Sequence, residues 1–342
     1  MRTAQDVLAT AGELADEVLF PDAMRVDRLD VLPVAHLDAL AAAGLYGAPA
    51  PAAAGGLGLD LVQVANVVEE LAGGCLAVTF VLIQHFRLVM TLAEGASAVL
   101  RDRWLASACQ GRTRGGIALT GLIPGPPQLR AEPAEGGWRL DGTAPWVTGW
   151  GLIDLVQVVA RGPDDTVVNL LMDAAGQPGL TVTRQHLVAV DAAVTVRLGF
   201  DGVLIPAERF VDQVPFDPAA SVQPAGLRLN GSLALGVARR CARLLGPSPL
   251  NDEVTVCRER LDAALGADPE PMAVARAAAS ELALRAAAAL AVRAGGNSIT
   301  VDQHPQRLAR EALFLLVFGS RPAIKNALLH QLGAAAVPAG RA

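Results

Sequence analysis

The chain has 342 residues, enough to bury a large core shared among two or three domains. Apolar residues make up 52 % but aromatic rings only 4 %, so the hydrophobicity rests on Ala, Val and Leu and favours close-packed helices. A net charge of −6, with Lys325 the only lysine among many arginines, gives no reason to expect nucleic acid or an anionic membrane as partner.

The N-terminus reads as an amphipathic helix whose acidic residues break up any apolar run of signal-peptide type. Leu32, Leu37, Leu40 and Leu45 recur on one face, and Leu61, Val64, Val67, Val68 and Leu71 continue at helical spacing. Between them, Pro49-Ala-Pro-Ala-Ala-Ala-Gly-Gly-Leu-Gly58 is a turn-rich loop. Glu69 and Glu70 read as solvated or ion-paired helix residues. Cys75, Cys109, Cys241 and Cys257 are scattered without a CxxC pair and the histidines are dispersed, so neither a disulfide framework nor a metal site is expected. No stretch reads as a membrane span; even Ala277–Val292 is interrupted by Glu281 and Arg285. A soluble, cytoplasmic protein is the expectation.

From about 115 to 215 the pattern changes to short runs such as Trp138-Arg-Leu, Leu155–Ala160, Val167–Met172 and Thr195–Leu198, separated by Gly, Pro and Asp clusters. These predict antiparallel strands and turns. Two stretches stand out here, Gly116-Ile-Ala-Leu-Thr120 and Ala144-Pro-Trp-Val-Thr-Gly149. Each sets a threonine at the end of an apolar run, and the second adds a tryptophan two positions earlier. Two hydroxyls and an indole on one sheet edge can bond and wall a flat, polar-rimmed heterocycle. Equally, Trp146 can be a core aromatic and the threonines ordinary strand residues. From about 225 the chain is helical again, with breaks at Gly246-Pro-Ser-Pro249 and Gly295-Gly296. The expected organisation is an N-terminal helical domain over 1–114, a central β domain over 115–216 and a C-terminal helical domain over 217–342.

In this order the segments resemble the acyl-CoA dehydrogenase family of flavoproteins over essentially the whole chain. The resemblance rests on Ala43-Gly-Leu-Tyr-Gly47 with Gly55-Gly-Leu-Gly58, Val68-Glu-Glu-Leu71, Trp104-Leu105 with Gly111, Gly116–Thr120, Trp146-Val-Thr148, Ile205-Pro206 and Gly295-Gly296-Asn297 with Arg307–Glu311. It implies an α+β fold of N-terminal helices, a central antiparallel β-barrel domain and a C-terminal helical bundle. It also implies FAD as cofactor, with Thr120 and Thr148 bonded to the flavin ring and Trp146 covering one ring face. Gly295 and Gly296 would approach the nucleotide end of a flavin in a neighbouring subunit, which implies a homodimer or homotetramer. Taken alone, the same glycine pair reads as a plain helix C-cap.

The departures from the family pattern concern the chemistry. Removal of the proton α to a thioester carbonyl calls for a carboxylate. Counting along the resembling helix puts Gly319 where the family's glutamate stands, and the alternative location, around Gly226-Leu-Arg228, is not acidic. Glu311 and Asp302 are the nearest acids in sequence, and Glu311 matches a structural position instead. After Thr120 the family's acid and serine give way to Gly121-Leu-Ile-Pro-Gly-Pro-Pro127. Arg258 or Arg260 could pair with the FAD diphosphate through two N–H groups, although a surface role serves either as well. Three readings follow: a dehydrogenase of acyl thioesters (CoA-bound or carrier-bound) with an atypical or missing base, a flavin-dependent monooxygenase or heteroatom oxidase, and a non-catalytic subunit in a hetero-oligomer with an active homologue.

Overall fold

The structure is a computed structural model that describes residues 2–219, 223–266 and 269–335. The N-terminal helices are α1 (Ala4–Glu13), α2 (Phe20–Val26), α3 (Val34–Ala42), α4 (Leu61–Gly74), α5 (Leu76–Glu94) and α6 (Ala98–Cys109). Their starts follow from local chemistry. The Thr3 hydroxyl and the Asp6 carboxylate cap α1 reciprocally, and Asp60 with Gln63 do the same for α4, satisfying amide donors that have no partner inside the helix. An extended Cys75 ends α4 and lets the chain restart as α5.

Helix α5 corrects one expectation from sequence. By length and composition it could cross a membrane, yet most of it is buried inside the protein, so it is a core helix. Gln84 and His85 masked the run in the sequence, but both are buried among apolar neighbours.

The strands are β1 (Gly115–Ala118), β2 (Leu129–Ala134), β3 (Gly137–Thr148), β4 (Leu155–Arg161), β5 (Thr166–Asp173), β6 (Leu180–Arg184), β7 (Thr195–Pro206) and β8 (Phe210–Pro215). They form one sheet in the order β6-β7-β3-β2-β4-β5-β8, with β1 beside β4. Most pairs are antiparallel, as the turn spacing predicts. Two are not: β1 runs parallel to β4 from Gly115 opposite Leu155, and β2 meets β4 in parallel at Arg130 and Arg161. The sheet is therefore mixed. Its own core holds Leu140, Val147, Val158, Leu170 and Leu198.

The C-terminal helices are α7 (Pro224–Leu245), α8 (Pro249–Ala263), α9 (Pro269–Ala294), α10 (His304–Val317) and α11 (Pro322–Gln331). They share one hydrophobic core with the N-terminal helices, in which Val64, Val68 and Leu71 join Leu233, Val237, Leu282 and Leu308. The α4–α7 crossing is closed by glycines. An added methyl on Gly236 would overlap the Glu69 carbonyl oxygen, and one on Gly73 would stand 3.1 Å from the Gly236 carbonyl oxygen. The Arg240 Nε–H donates to the Gly73 carbonyl across the same crossing at 2.6 Å. Three arginines lie in the bundle interior. Arg228 donates to Asp262 and Ser232 at 2.6 Å each, Arg307 to Glu311 at 2.5 Å, and Arg276 to the Leu315 carbonyl at 3.2 Å. Buried charge of this kind persists because each guanidinium has fixed acceptors.

Candidate functional site

The end of β3 carries backbone of an unusual kind. Pairing with β7 steps from Ala144 opposite Leu198 to Val147 opposite Val196, so β3 bulges by one residue. At the bulge Trp146 has φ 65° and is 63 % exposed, while its N–H donates to the Gln185 side-chain oxygen at 3.2 Å. A bulky residue in the left-handed region is strained, and nothing in the core compensates this one, because its ring lies outside. The reading of Trp146 as a core aromatic is thereby overturned: the bulge turns the ring out. The next two residues alternate as strand residues do. Val147 points into the sheet core, and the buried Thr148 hydroxyl shares a hydrogen bond of 3.1 Å with that of Thr195, directly across the strand pair. One bond uses one of two hydroxyl protons, which leaves the other free to donate. The Gly149 N–H donates to the Ala193 carbonyl at 2.9 Å, in a turn flanked by Val190 and Val194 with φ 55° and 50°. Strain in β-branched residues thus accumulates at the same corner.

Thr120 was expected at a strand end. The strand β1 stops at Ala118, and Thr120 instead opens a single helical turn over Thr120–Leu122. The turn is fixed by Arg161, whose guanidinium donates to the Gly121 and Ile123 carbonyls at 3.3 Å each. Among the described residues none hydrogen-bonds the Thr120 hydroxyl. A Cβ on Gly116 would stand 3.1 Å from the Thr148 carbonyl oxygen, so β1 lies against the end of β3. The structure therefore gathers the two threonine-ended stretches at one end of the sheet, although Thr120 is on a turn.

Beyond Thr148 the chain packs against α5. A Cβ on Gly149 would meet Val81 at 3.5 Å, and the neighbouring Phe80 packs edge-on against Phe314 and Phe318, with ring centroids 5.2 and 4.8 Å away. Phe314 and Phe318 stack on each other at 5.3 Å, as their spacing of one helical turn allows. Gly319 follows directly with φ 61°, and a Cβ on it would stand 2.9 Å from the Asn230 side-chain nitrogen on α7. Position 319 thus faces Asn230 and directly follows the cluster of Phe80, Phe314 and Phe318.

The family description acyl-CoA dehydrogenase, N-terminal domain, matches residues 2–112. Benzylmalonyl-CoA dehydrogenase of Aromatoleum aromaticum is 28 % identical over 247 residues, which covers 70 % of this chain and 65 % of that protein. The structure of butyryl-CoA dehydrogenase from Megasphaera elsdenii superposes with a TM-score of 0.83 at 19 % identity, covering 96 % of this chain and 97 % of that one. The FAD complex of PigA superposes with a TM-score of 0.80 at 20 % identity, covering 97 % and 98 %. The chain has the acyl-CoA dehydrogenase fold, and its sequence is similar to that family's, most clearly over residues 2–112. In sequence, its match spans less than two thirds of the length of that curated relative.

Set in the acyl-CoA dehydrogenase fold, the remaining residues singled out in the sequence fall apart from this corner. Arg258, a candidate for a diphosphate, donates twice to Glu69 at 2.9 and 2.5 Å, and Glu69 is only 2 % exposed. Glu69 is therefore ion-paired but not solvated, and the guanidinium of Arg258 is engaged within the chain. Glu70 pairs with Arg239. Gly295 and Gly296 form an exposed turn after α9, and a Cβ on either would meet nothing within 4 Å. Glu311 is buried on α10, its carboxyl pushed up by burial while Arg307 opposes the shift. It lies eight residues before Gly319, about 12 Å along a helix axis. Asp302 precedes α10, at the opposite end from Gly319. Sequence reasoning missed Thr195, Asn230 and the phenylalanine cluster. Only Phe314 and Phe318 left a signal, in their spacing.

Proposed function

We propose that this chain is an FAD-binding, acyl-CoA dehydrogenase-like oxidoreductase that acts on an acyl thioester, CoA-bound or carrier-bound. The observation that carries the reading is Trp146, a strained indole displayed on the surface beside threonine hydroxyls with protons to donate. Such a ledge fits a flat ring with a polar rim: the indole stacks on its face, and Thr120 and Thr148 bond its edge. FAD bound there would supply the acceptor for a hydride from the substrate. The open turn at Gly295 and Gly296 serves the nucleotide end of a cofactor held by a second copy, which makes the protein a homodimer or homotetramer. Arg258 is not needed in this arrangement, since Glu69 occupies it. A soluble, cytoplasmic location belongs to the same proposal.

Gly319 favours a second reading. With no side chain at that position and an amide opposite it, the chain offers no carboxylate there to take an α-proton. Oxygen-dependent chemistry on a different bond, or pairing with an active homologue, then accounts for a flavin seat without its base. Purified protein, expressed with ample flavin, should show flavin absorbance or regain it on reconstitution with FAD; a colourless protein that cannot be reconstituted overturns the proposal. Anaerobic mixing with acyl thioesters separates the readings, because bleaching of the flavin requires α,β-dehydrogenation.

A further inference from the structure

The bulge in β3 sets Pro145 and Trp146 opposite no residue of β7, so Trp146 stands outside the strand register. A side chain takes its N–H instead. The Gln185 side-chain oxygen accepts it at 3.2 Å, reaching from the residue that follows β6, on the far side of β7. Gln185 is half-buried and is itself fixed in place. Its own N–H donates to the Thr195 carbonyl at 2.9 Å, and the Asp191 carboxylate holds the next turn of chain by accepting the Leu187 N–H at 2.8 Å. The same segment, 185–195, supplies the Thr195 hydroxyl to Thr148 and the Ala193 carbonyl to the Gly149 N–H. Among the described residues Gln185 is the side chain bonded to the backbone of the strained tryptophan.

We propose that Gln185 is a positioning residue for the flavin seat: its side-chain oxygen holds Trp146 in the left-handed conformation and so keeps the indole turned out for stacking. The inference rests on the proposed flavin site and adds to it a residue that acts through Trp146. A bulky residue relaxes from the left-handed region toward extended backbone unless its surroundings over-determine it. The indole cannot supply that hold, because it is 63 % exposed. The bond to Gln185 can, since a hydrogen bond is directional and rotating the Trp146 peptide toward extended backbone turns its N–H away from the acceptor. A stacking face fixed before the ring arrives loses less freedom on binding, so the bond contributes to affinity from outside the contact.

Gln185→Leu keeps the bulk of the side chain and removes the acceptor, whereas Gln185→Glu keeps an acceptor at the same reach. In protein labelled with 5-fluorotryptophan, the fluorine resonance lost in Trp146→Phe identifies Trp146. In flavin-free protein Gln185→Leu should shift or split that resonance while those of Trp104 and Trp138 stay in place, and Gln185→Glu should preserve it. FAD titration should show affinity weakened about fivefold by Gln185→Leu and restored by Gln185→Glu. In a Trp146→Gly background, which has no indole to present, Gln185→Leu should leave FAD affinity unchanged. Gln185→Ala also lacks the acceptor and gives the same comparison if the leucine variant fails to fold. An unmoved Trp146 resonance, a glutamate variant as impaired as the leucine variant, or a further loss of affinity in the glycine background would overturn the inference. Failure of the flavin reading looks different. The wild type then binds no FAD, which overturns the flavin seat and its positioning together, whereas an unmoved resonance overturns the hold by Gln185 alone.

Discussion

A tryptophan held at φ 65° costs of order 1–3 kcal/mol relative to relaxed backbone, and here the cost brings no buried contact in return. Glycine takes up this backbone freely, so Trp146→Gly should raise the stability of the flavin-free protein by about 1 kcal/mol. The same change would remove the proposed stacking face and should weaken flavin binding tenfold or more. Denaturant unfolding of flavin-free protein and a flavin titration measure the two effects. Opposite signs are the mark of strain kept for binding, and a loss of both stability and affinity would show that the indole is simply structural. At this scale the sequence was informative where chemistry is local. The two threonine-ended stretches stand out by residue type alone, although the bulge that turns Trp146 outward does not. The sequence could not show that Thr148 meets Thr195, or that Asn230 faces Gly319, because both meetings depend on how distant segments pair.

Among the elements, α5 links the helices to the sheet through His85. Its Nδ1 accepts the Gly115 N–H at 2.9 Å, which makes Nε2 the protonated nitrogen that donates to the Ala108 carbonyl at 3.1 Å. The ring thereby joins the end of α6 to the start of β1 and has no room for a second proton. Burial pushes its pKa down to about 3 from 6.5. Because the unfolded chain takes up the proton first, the stability due to neutral His85 is fully present above pH 6.5. It is lost as pH falls toward 3, by up to about 1.4 kcal/mol per pH unit. His85→Gln should be less stable at pH 7 but lose less on acidification, so the two unfolding curves converge between pH 6 and 4. Parallel curves would refute the assignment. The parallel β1–β4 pair beside this histidine was not legible in the sequence, since a strand's own residues do not state the direction of its neighbour. The helix breaks at Gly246–Pro249 were legible, because glycine and proline act on the backbone locally.

Taken whole, the chain folds its two helical ends into one core and leaves the sheet with a core of its own. Periodicity in the sequence marks which face of each helix is apolar, but not that the N-terminal and C-terminal helices bury those faces against each other. It also cannot distinguish an apolar residue bound for the core from one left for another copy. Val292 and Ile299 are each 82 % exposed and Val301 is 74 % exposed, all within a few residues of the open Gly295–Gly296 turn. Burying such side chains contributes roughly 1.5–3 kcal/mol each, enough for a few of them to hold two copies together. The paired change Ile299→Asp with Val301→Asp should therefore shift sedimentation from a dimer or tetramer toward monomer. Because the glycine turn is proposed to complete the flavin site of a second copy, flavin content should fall in step with dissociation. The double variant touches no residue of the Trp146 corner, but Ile299 shares a short turn with Gly295 and Gly296, so Val292→Asp on α9 is the companion variant that challenges assembly from outside that turn. A wild-type monomer that retains flavin, or a variant that dissociates with its flavin intact, would separate cofactor binding from assembly and refute the shared site.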